Sequence, residues 1–293
     1  MRYTTYIHKK ARHWSIAAVI ATAVLAAACV SVSVDGSTLA TEVRDDEFTV
    51  TENPALDVRT ENGRIDVVPG TDFTITVKTT LKGPEKLEYS VSQKGDKVVV
   101  DVRRTGPSGV FNIGNSPGAD IEITAPVNTS YRLVTSNGRI EIDGFQASGS
   151  LDTSNGRIVA RNIVGDLQAD TSNGAIEIDG YEGSARLETS NGSITVTDGK
   201  GEFDVETSNG RIEVKAELVP DGSNRMRTSN GSVTVTVLGT PSIDLDVATS
   251  NGSIKNRYPI LTTGPSRNSL RGEIGGGEAG LVIRTSNGSA TIE

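Results

Sequence analysis

The chain has 293 residues, with 29 Lys and Arg against 37 Asp and Glu, and 35% of it is hydrophobic. This balance argues against a disordered chain and against a membrane protein with many spans. The positions of the rare residues also exclude several kinds of catalytic and metal site, because His8, His13 and Trp14 lie near the N-terminus and Cys29 is the only cysteine. If the N-terminus is removed, no His remains. That excludes Ser-His-Asp and Cys-His catalysis, His-ligated zinc and an intrachain disulfide.

The N-terminus has the organisation of an export signal. Arg2, Lys9, Lys10 and Arg12 form a basic region, and an uncharged stretch of 15 residues follows from Trp14 to Ala28. This length is typical of a signal-peptide core and is short of the roughly 20 residues that cross a bilayer. The pattern therefore predicts a signal peptide.

The end of this stretch resembles a bacterial lipobox. Small residues lead into Cys29, although the usual Leu three residues before the cysteine is Ala26 here. We expect a lipoprotein signal peptide over 1–28, cleavage between Ala28 and Cys29, and lipidation of Cys29. Cleavage by ordinary signal peptidase and a retained anchor are the alternatives.

The predicted anchor sets the expected location. More than one acyl group on Cys29 would hold the protein stably to a membrane. Val30, rather than Asp, follows the cysteine, which favours the outer membrane if the cell has two. Residues 29–46 are then the lipidated cysteine and a flexible tether.

Removing the signal peptide makes the protein more acidic. The four basic residues leave with it, so that 25 basic and 37 acidic groups remain and the net charge is −12. Such a surface repels nucleic acid, and we expect no nucleic-acid partner.

The body of the protein is a repeat. The tetrapeptide Thr-Ser-Asn-Gly begins at Thr135, Thr153, Thr171, Thr189, Thr207, Thr228, Thr249 and Thr285. The steps between copies are 18, 18, 18, 18, 21, 21 and 36 residues, and the last is twice 18. A relative, Thr60-Glu61-Asn62-Gly63, lies upstream.

Apolar residues keep register with the tetrapeptide. They stand two places before each Thr, and five and seven places after it, as Leu133, Ile140 and Ile142 do around Thr135. Each repeat therefore contains two short alternating strands with one buried face each. Asn-Gly is expected to make one turn because both residues tolerate positive φ. A Gly-containing segment such as Asp143-Gly144 makes the other.

Two architectures fit two strands per repeat. In an antiparallel meander each Asn-Gly closes a hairpin. In a β-solenoid each repeat of about 18 residues is one coil, and equivalent residues stack. The solenoid is favoured because it explains why the same residue recurs at the same place, and because stacked Asn amides can bond along a ladder. The ladder residues are Asn137, Asn155, Asn173, Asn191, Asn209, Asn230, Asn251 and Asn287.

The prediction is thus an all-β, single-domain β-solenoid over 47–293. An irregular cap covers 47–130 and regular repeats cover 131–293. The Gly- and Pro-rich stretch 256–280 is expected to be a projecting loop or a distorted coil.

The repeats of the type Thr-Ser-Asn-Gly-Arg-Ile-Glu-Ile, with Asp120 to Pro126 before them, resemble a bacterial family of candidate adhesins. It is a domain-of-unknown-function family defined by these β-strand repeats. The resemblance covers roughly residues 47–293 and implies an extracytoplasmic β-solenoid that is often attached to a membrane. It brings no catalytic residues, and some relatives are linked to envelope stress responses.

Several residue sets suit either a chemical site or a structural role. Thr-Ser-Asn-Gly supplies no carboxylate, so we expect no calcium site and no other metal or cofactor. Asp143, Asp152, Asp170 and Asp179 are typical turn residues as well as candidate catalytic carboxylates. An outward row of Arg139, Arg157 and Arg211 could bind an anionic glycan, but is more simply a solvated face balanced by glutamates. Tyr131, Phe145, Tyr181 and Tyr258 are too separated for a sugar platform, and cap or turn packing is expected for them.

The sequence therefore predicts a non-catalytic, lipid-anchored protein of the cell envelope that presents a rigid binding surface. Its expected partners are the membrane, through the lipid, and an unidentified envelope protein or surface glycan. A periplasmic or wall-facing scaffold or sensor in envelope stress is the alternative. A polysaccharide-active β-helix enzyme is a third possibility.

Overall fold

The computed structural model describes residues 39–106, 116–262 and 266–293. The signal peptide, Ala28, Cys29 and most of the predicted tether lie outside these residues. The end of that tether, Thr41 to Asp46, is not a free linker but part of the first strand, Thr41–Thr49, which pairs antiparallel with Thr74–Lys82. The described part is built almost wholly of strands, with one 3₁₀ turn at Pro84–Lys86. No helix in these ranges is long and apolar enough to cross a membrane.

The strands are numbered in sequence order. The N-terminal strands are β1 (Thr41–Thr49), β2 (Ala55–Asn62), β3 (Ile65–Gly70), β4 (Thr74–Lys82), β5 (Leu87–Lys94), β6 (Lys97–Arg104) and β7 (Gly118–Pro126). The middle strands are β8 (Ser130–Asn137), β9 (Ile140–Asp143), β10 (Gly149–Thr153), β11 (Ile158–Val164), β12 (Leu167–Thr171), β13 (Ile176–Thr189), β14 (Ile194–Asn209), β15 (Ile212–Leu218), β16 (Ser223–Asn230) and β17 (Val233–Val237). The C-terminal strands are β18 (Ile243–Asn251), β19 (Ile254–Asn256), β20 (Leu261–Thr262), β21 (Ser269–Ile274), β22 (Ala279–Asn287) and β23 (Ala290–Ile292).

Each repeat is one coil of a β-solenoid. The strands belong to one sheet that wraps round the rod, and β13 and β14 run through both of its faces. The segment that leads into the tetrapeptide joins one parallel face, and the segment that follows it joins a second parallel face. We call these the leading sheet and the following sheet. Ile158 pairs with Ile140 on one side and with Ile176 on the other, as stacking in parallel requires. The predicted solenoid is therefore confirmed, and the meander is excluded.

The core lies between the two sheets. Each apolar row predicted from the repeat is buried, and Leu133, Ile140 and Ile142 are all 0% exposed. The rows also continue into the upstream copy, where Val58 pairs with Leu133 and Ile65 pairs with Ile140. The core is thus filled by aliphatic side chains stacked on their own equivalents.

The backbones of neighbouring coils approach closely at the tetrapeptide corner. The eight repeat glycines all keep φ outside the left-handed region, so the expectation of a positive-φ Asn-Gly turn is wrong. Glycine is needed for a different reason. A Cβ on Gly174 would collide with the carbonyl oxygen of Gly156 in the neighbouring coil, and the other repeat glycines are crowded in the same way.

Left-handed backbone lies instead at the opposite corner. Gly144, Asn162, Gly180 and Asp198 all have positive φ and are spaced 18 residues apart. The turn predicted at Asp143-Gly144 is present, and it is this turn, rather than Asn-Gly, that uses left-handed backbone.

The buried threonine of each tetrapeptide ties two coils together. Its Oγ1 donates to the carbonyl of the glycine in the adjacent coil, as Thr171 does to Gly156 at 3.1 Å. The same bond recurs along the middle of the stack, for example from Thr189 to Gly174 at 3.0 Å. The tetrapeptide thus supplies a buried donor, an exposed amide and a residue without a side chain.

The order of the coils departs from sequence order at both ends. Strands β2 and β3 lie between β6–β7 and β8–β9. Likewise, β22 and β23 lie between β16–β17 and β18–β19. The first and last coils of the described sequence are therefore not the outermost ones.

Antiparallel strands cover the outermost coils. At the N-terminal end β4 pairs with β7, β1 pairs with β4, and β5 pairs with β6. At the C-terminal end β21 pairs with β18, and β20 pairs with β21. The stretch 256–280 therefore contributes an antiparallel extension of the leading sheet, rather than the projecting loop or distorted coil that its composition suggested.

Polar groups close the N-terminal end, where β1 and β5 meet. The Tyr89 hydroxyl donates to Asp46, and the Arg44 guanidinium lies 5.1 Å from the centre of the Tyr89 ring. Gln93 donates its Nε2 to the main-chain oxygen of Thr49 at 2.7 Å. These charged and hydrogen-bonded side chains protect the sheet edge from further pairing.

Candidate binding surface

The predicted asparagines lie in one row at the tetrapeptide corner. In each coil the Asn Nδ2 donates to the Asn Oδ1 of the neighbouring coil, as Asn155 does to Asn137 and Asn173 does to Asn155, both at 2.8 Å. The remaining bonds run from Asn191 to Asn173, Asn209 to Asn191, Asn230 to Asn209, Asn287 to Asn230 and Asn251 to Asn287. Asn62, in the upstream copy, accepts from Asn137 at 2.8 Å and extends the row.

The outer surface of the leading sheet carries a row of acids. Asp152, Asp170, Glu188 and Glu206 occupy the place directly before the threonine in four successive coils, and each pairs with the next in register. We call these four residues the carboxylate row. Equivalent residues on neighbouring strands lie about 4.8 Å apart, so the row concentrates negative charge along the rod.

Small polar side chains flank the carboxylate row. Ser154, Ser172 and Ser190 line a shallow depression of about 200 Å³ beside it. A larger depression of about 520 Å³ lies on the other side and is lined in part by Ser150 and Ser184. Serine hydroxyls and carboxylates are acceptors that suit sugar hydroxyls or cationic groups.

Two side chains tune the charge of the row. Gln168 donates to Asp170 at 2.8 Å, and Arg186 bridges Glu188 at 3.3 Å and Asp204 at 3.0 Å. Burial raises the pKa of Asp170 above its ordinary value, and the neighbouring Glu188 and Asp152 raise it further. The row is therefore electrostatically strained by its own charges.

The following sheet has a more balanced outer surface. Arg139 pairs with Glu141 at 2.6 Å, Arg157 pairs with Glu177 at 3.3 Å, and Arg161 also pairs with Glu141. Arg211 is exposed at the equivalent place. Two of the predicted arginines are thus paired with acids on their own sheet.

The structure separates the candidate catalytic carboxylates. Asp152 and Asp170 are neighbours on the leading sheet, whereas Asp143 and Asp179 lie on the following sheet on either side of Arg161. Within the described ranges, no three His, Cys, Asp or Glu side chains group closely enough to hold a metal.

The aromatic residues pack inside the rod rather than on its surface. Tyr131 meets Phe145 edge to face at 5.9 Å, and Tyr181 meets Phe203 in the same way at 5.9 Å. All four are buried. Tyr258 is half-buried at the C-terminal end. None of these rings is presented as a platform for a sugar.

A third concavity lies on the following sheet near the N-terminal end. Its volume is about 580 Å³, and its lining includes Asp45, Glu47, Asp66, Lys78 and Glu122. Lys78 pairs with Glu122 at 3.5 Å. Burial raises the pKa of Asp66, although Arg64, 2.6 Å away, opposes the shift. No sequence pattern indicated this pocket, because its residues come from four strands far apart in the sequence.

The sequence indicated only two of the four residues of the carboxylate row. Asp152 and Asp170 were candidates for a catalytic pair, whereas Glu188 and Glu206 were not singled out. The signal was available, since all four precede Thr-Ser-Asn-Gly by one residue.

The fold resembles solved structures of low sequence identity. A candidate adhesin from Bacteroides fragilis has a TM-score of 0.50 at 12% identity, and the match spans 86% of this chain and 97% of that one. A candidate adhesin from Parabacteroides distasonis has a TM-score of 0.44 at 12% identity, covering 85% and 97% of the two proteins. A candidate lipid-binding protein from the same species has a TM-score of 0.42 at 13% identity, covering 86% and 97%.

No curated protein matches the sequence. The family model named Toastrack DUF4097 matches residues 53–293, which is the whole solenoid from its first coil to its last. The chain belongs to the Toastrack DUF4097 family.

Proposed function

We propose that the protein is a non-catalytic, lipid-anchored component of the cell envelope. In this proposal the leading sheet presents a rigid acidic surface to a partner that carries positive charge, such as an amino-sugar glycan or a basic segment of an envelope protein. The carboxylate row is the observation that carries the proposal.

The geometry supports binding rather than catalysis. The carboxylates lie on a flat sheet face with shallow depressions beside them, not in a deep cleft that excludes water. Their backbone positions are fixed by parallel pairing on both sides. A surface that is already ordered loses little conformational entropy when a partner binds, so a repeated array of weak contacts adds up to useful affinity.

The name of a similar structure is consistent with this proposal. The structure with a TM-score of 0.50 is named a candidate adhesin. The proposed lipid anchor rests on the sequence, in which Cys29 follows a predicted export signal and a lipobox-like segment.

Binding is tested with glucosamine oligomers, which are cationic, and with their N-acetylated forms, which are neutral. We expect the full-length protein to bind the cationic form more tightly and to lose binding as salt rises. The triple variant Asp170→Asn, Glu188→Gln, Glu206→Gln should weaken binding by at least about threefold, given ~0.2–1 kcal/mol for each exposed pair.

A matched triple on the following sheet is the control. Glu177→Gln, Asp179→Asn and Glu213→Gln remove the same charges and should leave binding nearly unchanged. Equal losses in the two triples, or no preference for the cationic oligomer, would reject the carboxylate row as the binding surface.

Anchoring and exposure are tested by protease treatment of intact cells, with Cys29→Ala as the unanchored control. Digestion in intact cells supports a surface-exposed rod and adhesion. Protection until the outer membrane is opened rejects surface exposure and favours the inward-facing scaffold or sensor. Fractionation of Cys29→Ala with the membrane would reject the lipid anchor.

A further inference from the structure

The asparagine row has a direction. Every Nδ2 donates towards the N-terminal end of the stack, and every interior Oδ1 accepts from the coil on its other side. At the N-terminal end Asn62 still has a partner, because its Nδ2 donates to the carbonyl of Pro117 at 3.1 Å. The two ends of the row are therefore not equivalent.

Asn251 is the open end. Its Nδ2 donates to Asn287 at 3.0 Å, but among the described residues its Oδ1 accepts no hydrogen bond. The backbone beside it is well held. The backbone N–H of Thr249 donates to the carbonyl oxygen of Asn268 at 2.9 Å. The side-chain Nδ2 of Asn268 donates to the carbonyl oxygen of Ser250 at 3.0 Å. Among the described residues Asn251 therefore differs from interior rungs in two ways: its Oδ1 accepts no hydrogen bond, and it pairs in register with Asn287 on one side only, because β21 pairs with β18 no further than Ala248.

Each rung is also an Asn-Gly pair, which is chemically labile. The backbone nitrogen of the glycine can attack the amide carbon at the end of the asparagine side chain. A new C–N bond forms, the bond from that carbon to Nδ2 breaks, and ammonia leaves. Water then opens the resulting cyclic imide to aspartate or isoaspartate. Glycine favours this attack because it has no Cβ to obstruct the approach.

Attack requires the asparagine side chain to rotate out of the row. An interior rung must break two side-chain hydrogen bonds to do so, whereas Asn251 must break one. We propose that Asn251 is the deamidation site of the folded protein and that the row protects its interior rungs, so that deamidation proceeds from the C-terminal end.

Deamidation at the end exposes the next rung. Aspartate or isoaspartate at position 251 has no Nδ2, so the Oδ1 of Asn287 loses its donor. Asn287 then takes the place that Asn251 held. Deamidated residues are therefore expected to accumulate along the row from its C-terminal end.

The protein offers a matched comparison. The pentapeptide Thr-Ser-Asn-Gly-Ser occurs around both Asn251 and Asn191, and only the former is an end rung. The purified full-length protein is incubated folded in mildly alkaline buffer, digested with trypsin and examined by mass spectrometry. We expect Asn251 to deamidate about threefold to tenfold faster than Asn191, which corresponds to the loss of one side-chain hydrogen bond.

The same incubation in denaturant removes the row and should make the two rates equal. Equal rates in the folded protein, or a faster rate at Asn191, would overturn the proposal.

A pair of variants separates the row from general loosening of the last coil. Asn251→Ala should raise the rate at Asn287 by a similar factor. Asn256 lies in the same coil, but its side chain bonds the backbone of Tyr258 and takes no part in the row. Asn256→Ala should therefore leave the deamidation rate at Asn287 unchanged. If both variants raise the rate at Asn287 equally, loosening of the coil explains the effect and the proposal fails.

Discussion

The middle of the rod and its two ends differ in the order of their coils and in the direction of their strands. Between Tyr131 and Val237 the coils follow sequence order, and residues stack on their equivalents one repeat away, apart from a register shift after Val196. At the ends, a coil is inserted out of order and antiparallel strands cover the outermost coil. A repeat can propagate but cannot end itself, because its last coil always exposes unpaired backbone groups.

The insertion also pairs β23 on both sides. The last strand, β23, pairs with β17 on one side and with β19 on the other. In a rod stacked strictly in sequence order, β19 rather than β23 would pair with β17. The ends are therefore stabilised by inserted coils and antiparallel strands, whereas the middle is stabilised by the stacking of equivalent residues.

The largest expected effect tests how tightly the middle is stacked. Gly174→Ala places a Cβ against the carbonyl oxygen of Gly156, and the backbone of the whole stack resists the shift needed to relieve it. We expect a loss of at least about 3 kcal/mol in the free energy of unfolding, measured by urea denaturation.

Gly280→Ala is the matched control at an end. The nearest atom to its added Cβ is 3.5 Å away, and the glycine has ordinary φ. Comparable losses in the two variants would mean that the repeat glycines are not selected for close approach.

The next effect compares the core of the two regions. Leu187 is 0% exposed in the middle, whereas Leu270 is only half-buried at the C-terminal end. Leu187→Ala should cost about 2–4 kcal/mol through lost burial and a cavity, and Leu270→Ala clearly less. Thermal unfolding of both variants checks this order, and the reverse order would contradict a core centred in the regular coils.

The asparagine row gives a smaller difference. Asn173→Asp replaces the donor to Asn155 with a carboxylate oxygen that faces the Oδ1 acceptor of Asn155, although the other oxygen can still accept from Asn191, so we expect a loss of about 1–3 kcal/mol. Asn251→Asp disturbs one bond only and should cost less. An unchanged melting temperature in Asn173→Asp would mean that the asparagine serves the turn alone.

The smallest effect is a pH dependence of opposite sign in the two regions. The raised pKa of Asp170 means that the folded protein holds this proton more tightly, so ionisation destabilises the fold as pH rises through that pKa. At the C-terminal end, burial alone would raise the pKa of Asp246, but hydrogen bonds with Arg284 and Arg271 outweigh it and hold that pKa below its ordinary value. Asp246 therefore contributes stability at neutral pH that is lost as pH falls through its folded pKa.

Conservative variants test these signs by melting temperature against pH. Asp170→Asn should be slightly more stable than the native protein at neutral pH, with the gain vanishing in acid. Asp246→Asn should be less stable at neutral pH, with the loss shrinking in acid. The same sign for both variants would contradict the electrostatic difference between the two regions.

The sequence predicted the middle of the rod better than its ends. Periodicity identified the buried rows, including Leu133 and Ile140, because side chains that stack on themselves must be alike. It could not give the order of the coils at the ends. Asn287 presents the same amide to Asn230 as Asn251 would, so every order of copies satisfies the same contacts. The role of the repeat glycines was also missed, because positive φ and close approach both select glycine.

The interleaved end is tested most directly by disulfide formation in a Cys29→Ala background. Ser232 lies in register beside Ser289, and Ser253 lies on the other side of Ser289, with the hydroxyls of Ser253 and Ser289 3.1 Å apart. Ser232 and Ser253 are separated by two strand spacings, or about 9.6 Å, which is too far for a disulfide. We expect Ser232→Cys with Ser289→Cys to cross-link readily, and Ser232→Cys with Ser253→Cys to remain reduced. Cross-linking of the second pair but not the first would mean that the coils stack in sequence order, and would contradict the account of the ends.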